Sequence, residues 1–186
     1  IGERTASPFT LAWSTSVPGA HKLSVKVTDN DFGSTISGPV TVIIGDFSQG
    51  TGTGLTGQYY DNIDLTNLKV TRVDPTVNFN WGAGSPDPLI GADSFSARWT
   101  GAVLPMHASG SKSYTFYTNT NDGVRLWIND ALVIDNWVNG PLRENSAAVM
   151  LAAKQLHTIK MEYQENTNTA QAELRWESSG LAKEVI

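Results

Sequence analysis

Hydrophobic residues recur at every second position along most of this chain, the spacing of half-buried β-strands. Phe9, Leu11 and Trp13 alternate with Thr10, Ala12 and Ser14, and Leu23, Val25 and Val27 with Ser24, Lys26 and Thr28. Val40, Val42 and Ile44 predict a third strand after the Gly38-Pro39 break. The polar, glycine-rich run from Asp46 to Gly54 (DFSQGTGTG) then reads as a linker. Beyond it the alternation resumes. Phe95 and Trp99 point one way and Arg98 the other, Tyr114 shares a face with Phe116, and Val124, Leu126 and Ile128 share another. Ile159, Met161 and Tyr163 face inward while Lys160, Glu162 and Gln164 face out, and Ala172, Leu174 and Trp176 alternate with Glu173, Arg175 and Glu177. No comparable stretch sustains a helical period. The pattern predicts an all-β, antiparallel two-sheet β-sandwich.

The two halves differ in completeness. Residues 55–179 supply the strands of a whole sandwich, whereas residues 1–45 supply about three, fewer than the roughly seven of an immunoglobulin-like domain. Three strands with one apolar face cannot bury it alone. The first segment is therefore expected to be part of a domain that lies on the second domain, pairs with another molecule or stays partly disordered. The start at Ile1-Gly2-Glu3, without Met or a signal-peptide pattern, suggests a piece of a longer polypeptide.

Composition narrows the function classes. At 186 residues, with 40% hydrophobic and 17% charged residues, the chain suits a folded protein. A net charge of −5 without a basic cluster argues against a nucleic-acid partner. No apolar run approaches a bilayer span, so membrane insertion is not expected. The absence of cysteine excludes disulfides, zinc–thiolate sites and thiol catalysis. His21, His107 and His157 lack metal-ligand spacing, and there is no nucleophile elbow or phosphate loop, so no enzymatic activity is expected. Asp29/Asp31, Asp61/Asp64 and Glu173/Glu177 read as turn or solvated surface carboxylates.

One stretch invites a choice. In TNTNDGVRLWIND, Thr118 to Asp130, an Asp-Gly pair between alternating runs is a favoured hairpin signal. Asn121 and Asp122 also offer oxygens to a hard cation such as calcium, and the segment Glu165 to Ala170 (ENTNTA) offers more. The spacing is not that of an EF-hand. Most tryptophans fall in register with inward positions; Trp137, after Asp135-Asn136 and before Val138-Asn139-Gly140-Pro141, sits at a strand end and could stack on a sugar.

The segments GLTGQYYDNIDL (54–65), TRVDPTVNFNWGAGSPDP (71–88), FSARWTGAV (95–103), YTFYTNTNDGVRLWIND (114–130), LVIDNW (132–137), IKMEYQEN (159–166) and AELRW (172–176) follow in order. Together they resemble the protective-antigen-type domain, the PA-14 family, over residues 54–179. The resemblance implies a β-sandwich module that usually binds carbohydrate. In its sugar-binding members, two consecutive aspartates joined by a cis peptide hold a calcium ion that sugar hydroxyls then ligate. The matching positions are Asn121 and Asp122, so asparagine replaces the first aspartate and one charge is missing. The family's further ligands match Asn166, with the carbonyls of Asn168 and Ala170; a one-residue shift would bring in Glu165 instead. SPFTLAW, the run VPGAHKLSVKVTDNDFGS and GPVTVII in residues 1–45 are similar, more weakly, to the second half of a bacterial immunoglobulin-like repeat.

The resulting expectations are a partial immunoglobulin-like segment (1–45), a linker (46–53), a PA-14-like sandwich (54–179) and a C-terminal tail (180–186). The function implied is non-catalytic carbohydrate binding through loop-bound calcium, in a secreted or surface protein of bacterial type. Asn121, Asp122 and Asn166 would hold the ion, with Trp137 and Arg143 setting sugar selectivity. The alternative is a structural, adhesion or protein-interaction module that does not bind sugar.

Overall fold

Among the described residues, fifteen strands carry all the regular structure and no helix occurs. The computed structural model describes residues 2–13, 19–44 and 52–186. The chain divides into two units, Ile1–Ser48 and Gln49–Ile186. Most of the expected linker, residues 46–51, lies outside the described residues.

In the first unit, β1 (Gly19–Leu23) pairs antiparallel with β4 (Val40–Ile44), and β2 (Lys26–Thr28) with β3 (Ser34–Ile36). The strand expected over residues 9–13 does not form, and Phe9 is 74% exposed. The run from Leu23 to Val27 breaks into two strands. At the break, Ser37 Oγ accepts from Val25 N at 2.9 Å and Ser37 N donates to Val25 O at 2.8 Å, drawing the chain into a second pairing. Two-stranded ribbons cannot cover an apolar face, and Val25, Val27 and Ile36 stay exposed.

The second unit is a sandwich. Its larger sheet contains β5 (Leu55–Tyr60), β6 (Leu68–Asp74), β8 (Phe95–Val103), β10 (Gly123–Ile128), β11 (Ala131–Asn136) and β13 (His157–Glu165), in the order β11-β10-β13-β8-β5-β6. The other sheet has the order β12 (Arg143–Ala152), β9 (Ser111–Thr120), β14 (Ala170–Ser178), β15 (Leu181–Val185). Strand β7 (Asn78–Gly82) pairs with the first half of β14 and β15 with its second half. All pairings are antiparallel. The residues predicted to face inward do so: Phe95, Trp99, Phe116, Leu126, Ile159, Met161, Tyr163 and Leu174 are buried between the sheets.

Two expectations need correction. Residues 180–186 are not a tail, because Leu181–Val185 forms β15 against β14, Gly180 turns the chain at φ 88°, and Ile186 N donates to Leu174 O at 2.9 Å. Glu162 and Gln164 lie on the outward face of β13 but are 7% exposed. Arg98 Nε reaches Glu162 at 2.9 Å, and Gln164 packs over Gly123, where a Cβ would meet its amide nitrogen at 2.7 Å.

A polar group is embedded among the core aromatics. Asp74, 3% exposed, accepts from Tyr59 OH at 2.6 Å, Trp99 Nε1 at 2.8 Å and Arg72 Nε at 2.8 Å. Arg72 also donates to Tyr59 OH at 3.0 Å, closing the network. Gly57 admits it: a Cβ there would lie 2.2 Å from Asp74 Oδ2.

Candidate functional site

The Asn121-Asp122 stretch is not a hairpin turn. β9 pairs with β12 and β14, while β10 pairs with β11 and β13, so these two residues carry the chain from one sheet to the other. Asp122 takes a left-handed φ of 54°, a conformation that aspartate tolerates better than most residues. The Asn121–Asp122 peptide is trans, in contrast to the cis bond implied by the family resemblance; among the described residues only Ser7–Pro8 is cis.

That corner ties three connections together. Asp122 N donates to Gly140 O at 3.0 Å, and its Oδ1 accepts from Gly140 N at 2.8 Å. Its Oδ2 accepts from Asn166 N at 2.7 Å. Asn121 N donates to Gln171 O, and Asn121 Nδ2 to Thr169 Oγ1 at 3.1 Å. The corner, the β11–β12 connection and the β13–β14 connection thus share one buried carboxylate. Bonds from backbone N–H groups to an ionised carboxylate are among the stronger ones available to a loop.

Between the three connections lies a cleft of about 450 Å³ lined by Asn121, Asp122, Asn139, Pro141, Asn166 and Asn168, with adjoining threonines. The structure brings Asn121, Asp122, Asn166 and Asn168 to one cleft. Ala170 lies at the buried start of β14, in register with Gly82. Trp137 and Arg143 do not line the cleft. Arg125 covers one face of the Trp137 ring, its guanidinium carbon 4.8 Å from the centroid. Arg143 donates to Val138 O at 2.9 Å, bracing the loop rather than facing a ligand. Two of the histidines serve local structure: His107 meets Tyr114 OH, and His157 bridges Ala152 O and Asn129.

Two further residues border this corner: Glu165, which the sequence offered only as the register-shifted alternative to Asn166, and Asp93, which it did not single out. Continuing the alternation of Ile159, Met161 and Tyr163 by one step puts Glu165 inward, and it is fully buried. Tyr163 OH donates to its Oε2 at 2.9 Å, while its Oε1 has no hydrogen-bond partner. Burial pushes the Glu165 carboxyl up to about 7, the Tyr163 hydrogen bond works against that rise, and the negative charges of Asp122 and Asp93 add to it. Asp93 is the second residue; its Oδ1 accepts from Asn168 N at 3.1 Å. Nothing in the pattern around Asp93 marks it, because its place comes from a long loop folding onto another.

The raised carboxyl has a consequence for stability. The folded chain holds this proton more tightly than the unfolded chain, whose glutamate titrates near 4.5. In metal-free protein the contribution is fully present below pH 4.5 and is lost as pH rises through about 7. It amounts to roughly 3 kcal/mol. Thermal melts in chelator should show that slope for the wild type and a flatter one for Glu165→Gln; parallel profiles would contradict it.

A family model described as the PA14 domain matches residues 52–186. The chain belongs to this family. Anti-sigma-I factor RsgI3 of Acetivibrio thermocellus is 46% identical to this PA14 domain over 137 residues, 74% of this chain and 21% of the relative. Protective antigen of Bacillus anthracis is 26% identical over 144 residues, 75% of this chain and 18% of the relative. The chain thus spans about a fifth of the length of these curated relatives. A solved anti-sigma factor domain-containing protein from Clostridium clariflavum, 44% identical, superposes with a TM-score of 0.66 over 72% of this chain and 44% of that one. The PA14 sugar-binding domain from an RTX adhesin superposes with a TM-score of 0.58 over 72% of this chain and 94% of that one. At 16% identity the latter likeness shows the fold alone.

Proposed function

We propose that this PA14 domain is a non-catalytic carbohydrate-binding module of a larger extracellular protein. The observation that carries the reading is the cleft between the three connections, where carboxamide and hydroxyl side chains converge over the buried Asp122. Such groups donate and accept hydrogen bonds in the plane of a sugar ring and match its hydroxyls better than an apolar or uniformly charged pocket would. The sugar-binding title of the RTX-adhesin domain supports the same direction. Relatives named as anti-sigma factors support use of the module as the sensing part of a longer regulatory protein. Residues 1–45 fit a spacer of immunoglobulin-like type.

The donors around the cleft suit calcium, which takes six to eight oxygens from carboxylates, carboxamides and carbonyls. Asn121, Asp122 and Asn166 would hold the ion, helped by the Asn168 and Ala170 carbonyls, and the ion would supply a Lewis-acid anchor for a vicinal diol. The chain's own residues do the rest. Asp122 fixes the spacing of the three connections, and Asn121 is oriented by Thr169. No acid–base pair faces the cleft, since both Asp122 oxygens receive backbone amides and Glu165 is closed off from solvent.

Titration of the chain with a panel of monosaccharides and polysaccharides, in calcium and then in chelator, tests the reading. Binding should be modest for a single sugar, because an exposed diol buries little area, and should vanish in chelator. Failure to bind any glycan would favour the alternative, an adhesion or protein-interaction module; binding that survives chelation would remove the ion from the mechanism.

A further inference from the structure

We infer that the end of the sandwich away from Asn121-Asp122 holds a second ligand site, sized for a monocyclic aromatic carboxylate, with Lys112 as the group that takes the carboxylate. The inference goes beyond the carbohydrate reading and does not depend on it.

A cavity of about 150 Å³ opens at that end of the core, roughly 30 Å along β9 from the corner. Leu104, Tyr114, Trp176 and Leu181 give it an apolar wall, and Lys112 and Ser178 a polar side. The sequence pattern marks the place. On β9, Lys112 continues the inward series of Tyr114, Phe116 and Thr118, all buried, and it is paired in register with the fully buried Leu151 of β12. On β14, Ser178 continues the inward series of Ala172, Leu174 and Trp176. A lysine and a serine thus stand where the alternation calls for apolar core residues. The space those residues would fill is the cavity.

Its size and walls select a flat ring. An apolar cavity of about this volume holds one benzene ring. The rings of Tyr114 and Trp176 lie 4.9 Å apart at 30°, and an aromatic guest gains from edge and offset contacts with such a pair. A sugar fits poorly here, because the apolar wall would leave its hydroxyls without partners.

The charge of the ligand follows from what surrounds Lys112. Its ammonium donates to Ser179 O, which uses one of the three donors it carries. Among the described residues, no carboxylate lines the cavity and none forms an ion pair with Lys112. His107, also in the wall, has both ring nitrogens in hydrogen bonds, with Tyr114 OH at 3.2 Å and Gly110 O at 3.3 Å. Lys112 is therefore the group left to meet an anion, and Ser178 adds a hydroxyl donor beside it. A carboxylate accepts from both.

The test is an amide NMR titration of the full chain with sodium benzoate and, in parallel, with benzamide, which has the same ring and no charge. Benzoate should shift the amides of Lys112, Ser179, Gly180 and Leu181 with a dissociation constant on the order of 1 mM, the range for so small a ligand. The amides of Asn121, Gly140 and Asn166 should not move, and benzamide should bind about tenfold more weakly. Lys112→Gln keeps a donor for Ser179 O, so it should fold. It should weaken benzoate about tenfold and change benzamide by less than about twofold. Ser178→Leu fills the cavity and should remove binding of both ligands without lowering the melting temperature. No benzoate shift at this end at concentrations well above that constant, equal affinity for the two ligands, or a Lys112→Gln protein that titrates like the wild type would overturn the inference. Glycan titrations of Lys112→Gln should match the wild type. A chain that takes benzoate here and no glycan anywhere would sink the carbohydrate reading and leave this one standing; glycan binding with no benzoate binding would do the reverse.

Discussion

Asp74→Ala should lower the unfolding free energy by about 3–5 kcal/mol, the range for removing one partner of a buried charged network. Asp74 is the acceptor for three donors: Tyr59 OH, Trp99 Nε1 and Arg72 Nε. Alanine leaves the phenol and the indole N–H without that acceptor in an apolar setting, and leaves Arg72 without its carboxylate. Each unsatisfied group adds its own desolvation cost, about 1–3 kcal/mol. Asp74→Asn should fall in between, since one amide oxygen still accepts while the amide nitrogen confronts a donor. Urea denaturation would measure both. The cleft is built from other connections, so ligand affinity of the folded Asp74→Asn fraction should stay within about twofold of wild type. A loss under about 1 kcal/mol for alanine would show that the donors find other partners.

Asp122→Ala carries the second large effect, and it acts on function and stability together. The substitution leaves Gly140 N and Asn166 N without the carboxylate that joins their loops. It also puts a residue that dislikes the left-handed region at φ 54°. The expected loss is about 2–4 kcal/mol, from two charge-assisted bonds and local strain. All glycan and calcium binding should go with it. Asp122→Asn separates the contributions, because asparagine tolerates the backbone and offers one oxygen. It should cost less stability and still abolish calcium binding. Hydrogen exchange would localise the damage, with protection lost at Gly140 and Asn166 and retained at Leu126 and Met161. Wild-type binding by Asp122→Asn would make Asp122 a purely structural tie.

Much of the fold was legible in advance because a strand's two faces are written into alternate positions. Phe95, Trp99, Leu126, Met161 and Leu174 face the core where the pattern put them. The failures have local causes. Phe9 and Leu11 alternate correctly but have no sheet to join, since alternation states which face is apolar and not whether a neighbour exists. β15 was missed because Leu181 to Val185 is short and mixed in polarity; its pairing depends on the open edge of β14.

At the site, the oxygen-rich composition of Asn121-Asp122 and of the segment from Glu165 to Ala170 was visible, whereas the burial of Glu165 was not read. Trp137 and Arg143 were reasonable as residue types, yet Arg125 and Val138 claim them.

By itself, the sequence determined the all-β class, the inward faces and the set of oxygen-bearing residues, because these depend on residue type and a two-residue period. Tertiary structure alone decided that Asp-Gly marks a crossing between sheets and not a hairpin. It alone decided that Asp122 binds two loops remote from it in the chain, and that Glu165 and Asp93 share its neighbourhood. Those outcomes depend on strand order and loop closure, which join residues tens of positions apart, and no local pattern encodes them.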